Sequence, residues 1–143
     1  MTTALEQKPL LLVEDNPMDV ELTLRAFKKH NLRNPVVVAR DGEEAMAHVD
    51  GWIAGAPKPV VILLDLKLPR VDGLDVLAKI KSTPEIREIP VVVLTSSKDS
   101  RDIQTAYQIG ANSYIVKPVD FEKFLDVANQ VQSYWCVINE NCP

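Results

Sequence analysis

The chain has no cysteine in its first 135 residues; its two, Cys136 and Cys142, fall within the last eight. That placement argues against a disulfide framework and predicts two reduced thiols outside the core. A basic excess is also missing, with 16 Lys and Arg against 20 Asp and Glu and a net charge of −4. Without that footprint, direct binding of nucleic acid is not expected. No apolar run approaches the ~20 residues of a membrane helix. The opening stretch MTTALEQKPLLLVED carries neither a basic leader nor a signal-type apolar core. Both absences predict a cytoplasmic chain with no membrane contact. Internal repeats, low-complexity tracts and signs of a second domain are lacking too.

What is present suits one globular domain. The 143 residues are 46% hydrophobic and 25% charged, enough to bury a proper core. Five apolar, β-rich runs recur: PLLLVE (9–14), PVVVA (35–39), VVILLD (60–65), PVVVLT (90–95) and SYIVK (113–117). Their hydrophobicity is nearly continuous, as expected of parallel strands covered on both faces. Segments of helical periodicity alternate with them, near 17–29, 43–51, 74–82, 100–109 and 120–135. Asn16 can cap the first, with Pro17 at a position where its missing N–H costs nothing. Asp120 can cap the last, whose apolar stripe is Phe124, Val127, Ala128 and Val131. Strict alternation predicts a doubly wound α/β fold, a three-layer sandwich around a parallel sheet. The stretch DGWIAGAPKP (50–59) reads as a surface excursion before the third strand.

In open parallel sheets, ligands bind beyond the carboxyl ends of the strands. The first strand here ends on Glu14 and Asp15, the third on Asp65, the fourth on Thr95 and the fifth on Lys117 before Pro118. Adjacent acids repel unless something positive sits between them. Glu14, Asp15 and Asp65 together make an oxygen-rich site suited to a hard divalent cation such as Mg²⁺, which takes one or two carboxylates and leaves room for phosphate oxygens. Lys117 and Thr95 could meet the remaining phosphoryl oxygens, and an aspartate can accept a phosphoryl group covalently. Each element alone is commonplace; their joint placement at four strand ends is not.

In order and spacing, LLVEDN, VVILLDLKLPRVDG, VVVLTSS and SYIVKP resemble the motifs of the response-regulator receiver domain, the CheY-like, flavodoxin-like (βα)5 fold. The resemblance covers residues 8–135 and implies the sheet order 2-1-3-4-5. It implies that Asp65 is the phosphoacceptor, served by a histidine kinase or phosphotransfer protein. It implies that Asp15 is a direct Mg²⁺ ligand, that Glu14 is a ligand through water, and that the Lys67 carbonyl and Asp65 complete the metal set. Thr95 and Lys117 would bind the phosphoryl oxygens, Tyr114 would be the aromatic switch partner of Thr95, and the Lys117–Pro118 bond would be cis. FKKHNL, GEEAMAHV and GANSYIVKPVDFEKF are similar to the cyanobacterial phytochrome response regulators of the Rcp type.

Such a chain would be a signalling switch and not an enzyme with a small-molecule substrate. A dehalogenase-type phosphatase wants a second Asp two residues after its nucleophile, where Lys67 stands. A flavodoxin wants a Ser, Thr or Gly phosphate loop where EDNPMD stands. The expected division is a tail over 1–7, a receiver domain over 8–135 and an extension over 136–143. With no output domain read from the sequence, the expected output is contact with a downstream protein. Tyr134, Trp135, Val137 and Ile138 fall beyond the point where the fifth helix covers the sheet. They predict an apolar patch and a homodimer through that helix and its extension.

Overall fold

The computed structural model describes residues 8–142; the tail assigned to residues 1–7 lies outside the described residues. Five strands, β1 (Leu10–Val13), β2 (Val36–Ala39), β3 (Val61–Leu64), β4 (Val91–Thr95) and β5 (Ser113–Val116), alternate with helices. The helices are α1 (Pro17–Lys29), α2 (Gly42–Ile53), α3 (Gly73–Ser82), α4 (Ser100–Ile109) and α5 (Phe121–Ser133). The strands form one parallel sheet in the order β2-β1-β3-β4-β5, the predicted doubly wound arrangement.

Strand alternation divides the core between two faces. Leu11, Val13, Ile62, Leu64, Val91 and Val93 pack against α2, α3 and α4 through Val49, Val76, Leu77, Ile80 and Ala106. Leu10, Leu12, Val61, Leu63 and Val92 point the other way, onto Val20, Ala26 and Phe27 of α1 and Ala128 and Val131 of α5. Each such fully buried Val, Leu or Ile contributes roughly 1.5–3 kcal/mol. The three central strands are buried along their whole length, while β2 and β5, at the edges, are half-buried.

Each of the five α-helices starts on an Asn or Asp whose side chain accepts a main-chain amide of the first turn: Asn16, Asp41, Asp72, Asp99 and Asp120. Each such cap is worth about 1 kcal/mol. The caps fix the point at which the chain turns away from the carboxyl edge of the sheet, and so fix the loops that carry the polar cluster there.

Two expectations need correction. The excursion over 50–59 begins later, because α2 runs on to Ile53 and buries Trp52 against the sheet. Cys136 is not outside the core. After α5 the chain winds through a π-helical turn, Tyr134–Ile138, closed by Asn139 N–H donating to the Tyr134 carbonyl at 2.6 Å. That wider turn carries Cys136 back onto the α1–α5 face, where it is 5% exposed, with Trp135 half-buried beside it. Tyr134, Val137 and Ile138 remain exposed.

Candidate functional site

The polar side chains at the strand ends are held by the sheet's own hydrogen bonds. Asp65 N–H donates to the Val13 carbonyl at 3.0 Å, Glu14 N–H to Ala39 at 3.0 Å, and Lys117 N–H to Thr95 at 2.7 Å. Each functional residue is thus locked to the neighbouring strand one step beyond its own. Glu14, Asp65, Thr95 and Lys117 are all buried, whereas Asp15 is exposed.

Lys117 is the hub. Its ammonium donates to Glu14 Oε1, to Asp19 Oδ2 at 2.9 Å and to Asp65 Oδ2 at 3.0 Å. One oxygen each from Glu14, Asp15 and Asp65 lies within 4.8 Å of the other two. Three carboxylates, those of Glu14, Asp19 and Asp65, therefore share one ammonium, Asp15 stands beside two of them, and the cluster carries a negative excess. Burial pushes the Glu14 carboxyl up to about 7, with the charge of Asp65 adding to it and the Lys117 bond opposing it. For Lys117, burial acts downward. The bonds from Glu14 and Asp19 and the charges of Asp65 and Glu14 outweigh it and hold the ammonium well above the usual lysine range. Hard oxygen donors, uncompensated negative charge and an open side at Asp15 fit a divalent cation of the Mg²⁺ or Mn²⁺ kind.

The loop after β3 is fitted closely to the start of α3. Lys67 N–H donates to Asp65 Oδ1 at 3.3 Å, and Gly73 N–H donates to the Leu66 carbonyl at 2.9 Å. A Cβ on Gly73 would lie 2.4 Å from the Asp65 carbonyl oxygen and 2.5 Å from Leu66 Cα. Only glycine allows that approach. Across the site, Ser97 N–H donates to Thr95 Oγ1 at 3.4 Å. Tyr114, half-buried on β5, donates its hydroxyl to the Ser97 carbonyl at 3.0 Å.

The sequence-derived residues Glu14, Asp15, Asp65 and Lys117 therefore meet at one point. Thr95 and Tyr114 are linked to each other through Ser97. Pro118 departs from expectation. No peptide bond among the described residues is cis, so Lys117–Pro118 is trans. Trans is the preferred form of an X–Pro bond by about 0.5–1 kcal/mol, and Lys117 reaches its three carboxylates from it. Asp19 was missed. Its signal was positional: three residues past the Asn16 cap, it sits in the first turn of α1, which points back over the strand end.

Known proteins resemble this chain in sequence and fold. The family described as "Response regulator receiver domain" matches residues 10–129. Response regulator Rcp1 of Synechocystis is 37% identical over 130 residues, spanning 90% of this chain and 88% of its own length. A probable methanogenesis regulatory protein, FilR2 of Methanothrix harundinacea, is 40% identical over 129 residues, 88% of this chain and 82% of its own. Among solved structures, the phosphorylated cyanobacterial phytochrome response regulator RcpA superposes with a TM-score of 0.89 at 37% identity, covering 96% of this chain and 99% of that one. The Mn²⁺-bound form of Rcp1 gives 0.88 at 34%, with coverage of 95% and 99%.

Proposed function

The chain belongs to the response-regulator receiver domain family, and from that premise we propose that Asp65 accepts a phosphoryl group from a histidine kinase or phosphotransfer protein. One observation supports this above the rest: Asp65, at the end of the central strand, stands beside the acid pair after β1 and accepts the Lys117 ammonium at 3.0 Å.

A carboxylate oxygen of Asp65 attacks the phosphorus of the donor. The donor's P–N bond breaks, its electron pair leaves with the histidine nitrogen, and an acyl phosphate remains on Asp65. Lys117 and the Thr95 hydroxyl donate to the phosphoryl oxygens as they arrive, supplying positive charge and orientation where charge concentrates. Asp15 and Asp65, with the Lys67 carbonyl and Glu14 through water, would hold a divalent cation, for which Mg²⁺ is the candidate. Once bound, that ion would offset the charge of the incoming phosphoryl group. The Mn²⁺-bound form of the relative Rcp1 supports this assignment. The relatives named as phytochrome response regulators make a phytochrome-linked histidine kinase the donor to test first.

Occupancy of Asp65 would shift an existing equilibrium. Thr95 would be drawn toward the phosphoryl group and Tyr114 would follow, altering the surface of α4, β5 and α5 that a downstream protein reads. We assign self-association to the same edge. Exposed Tyr134 lines a groove of about 500 Å³ with Ile115, Val127, Val131 and Trp135, and exposed Val137 and Ile138 follow it along the chain.

Incubation with acetyl phosphate and Mg²⁺ tests the proposal. Wild-type protein should gain one acid-stable, alkali-labile phosphate, and chelation of Mg²⁺ should abolish the gain. Full labelling of Asp65→Asn would overturn it.

A further inference from the structure

Lys67 stands two residues past Asp65, and Ser97 two residues past Thr95. Their main chains act alike: Lys67 N–H donates to Asp65 Oδ1 and Ser97 N–H donates to Thr95 Oγ1. Their side chains converge on one atom of α4. Oδ2 of Asp102 accepts the Ser97 hydroxyl at 2.6 Å and faces the Lys67 ammonium at 3.5 Å. The Ser97 carbonyl, in turn, accepts the Tyr114 hydroxyl.

We propose that Asp102 is a positioning residue that couples the loop after Asp65 to the loop after Thr95, and through Ser97 to Tyr114. The proposal rests on Asp65 being the phosphoacceptor. A new group on Asp65 competes with the Lys67 amide for the carboxylate oxygen and moves the Lys67 main chain. The Lys67 side chain then changes the field at Asp102, and the Ser97 hydroxyl, bound to the same oxygen, responds. Tyr114 feels the result at the other end of Ser97.

The two contacts on Asp102 are unequal in strength. The Ser97 bond is short and charge-assisted, the stronger kind of hydrogen bond. The Lys67 contact is longer and its side chain 69% exposed, so it is easily rearranged. One firm contact and one soft contact on a single atom make a transmitter, not a rigid brace. Tyr114 has the corresponding environment. Burial raises its phenol above the usual range, the charges of Asp102 and Asp65 add to the rise, and that of Lys67 opposes it. If Asp102 served only as a first-turn acid stabilising the amino end of α4, its removal would lower stability without altering any link from Lys67 to Tyr114.

The test uses NMR of the full chain with ¹³C-labelled tyrosine rings. The three tyrosines are Tyr107, Tyr114 and Tyr134, so the other two serve as internal controls. In unphosphorylated protein, Lys67→Met should shift the Tyr114 ring signals, and the same substitution made on Asp102→Asn should shift them less than half as far. After acetyl phosphate and Mg²⁺, Asp102→Asn should label at Asp65 as wild type does, yet show at most half the wild-type Tyr114 response. Asp102→Ala, which also removes the acceptor for Ser97, should abolish both couplings. If Lys67→Met moves Tyr114 equally with and without Asp102, the proposal is overturned. If wild-type protein fails to label, the phosphoacceptor assignment falls, while the unphosphorylated comparison still decides the coupling.

Discussion

Lys117→Met removes the ammonium shared by Glu14, Asp19 and Asp65 while keeping the length and apolar stem of the side chain. At 3.0 Å from Asp65 and 2.9 Å from Asp19, each pair is worth on the order of 5 kcal/mol at an effective dielectric of ~20. Much of that attraction is already offset by the desolvation of the buried partners. Breaking a buried pair from one side costs about 3–5 kcal/mol net, because the abandoned charge stays buried. Glu14 and Asp65 are both buried, so that range applies here. With a urea slope of about 2 kcal/mol/M for a small domain, the unfolding midpoint should fall by roughly 1.5–2.5 M. Trp52 and Trp135 both pack against the core and serve as fluorescent reporters. The measurement is made first in chelator and then in Mg²⁺, which should return part of the loss by replacing the missing positive charge. A midpoint within about 0.5 M of wild type in chelator, equivalent to ~1 kcal/mol, would refute the claim that Lys117 neutralises this cluster.

Gly73→Ala should cost about 1–3 kcal/mol as an overpacked contact. It should slow phosphoryl incorporation by about 100-fold, because the backbone it displaces carries Asp65; labelling at the wild-type rate in a folded variant would contradict the close fit. Burial pushes the Cys136 thiol up to about 11 from an ordinary 9.0. In the native state at pH 8, its alkylation should therefore run about 100-fold slower than that of an unburied thiol, with Cys142 modified first. The unfolded chain ionises Cys136 near 9 and the folded chain near 11, so this contribution to stability is intact below 9 and lost as pH rises through 11. Comparable native-state rates for the two thiols would exclude a buried Cys136. Replacing exposed Tyr134, Val137 and Ile138 by Ser, Asp and Asp, with Trp135 and Cys136 kept, should turn a sedimenting dimer into a monomer; unchanged mass, with and without phosphorylation, would end the self-association proposal.

The strands were legible because a parallel sheet buries both faces, so its strands read as unbroken runs of Val, Leu and Ile. The site was legible for a related reason: charged or hydroxyl residues stood where those runs stop. Asp19 was harder to see, since a helix residue reaches a strand end only through the phase of its first turn. Here the Asn16 cap sets that phase. Cys136 and Trp135 were misread because the buried face was taken to end at Val131, whereas Trp135 lies four residues past Val131 and Cys136 four past buried Gln132, on the same face. The π-helical turn continues that face through Cys136. The Lys117–Pro118 expectation came from resemblance alone, and nothing local in the chain disfavours trans. Asp102 carries no sequence signal beyond being an acid in a helix's first turn; its contacts with Lys67 and Ser97 belong to three separate segments.

The central claim is that the phosphoryl group sits on Asp65 and on no other acid of the cluster. Borohydride reduces an acyl phosphate, hydride displacing the phosphate, and converts the aspartate that carried it to homoserine. Phosphorylated protein treated in this way and mapped by peptide mass spectrometry should show homoserine at position 65, with Glu14, Asp15 and Asp19 intact. Reduction at Asp15 or Asp19, or a stably phosphorylated chain with Asp65 unreduced, would contradict the account.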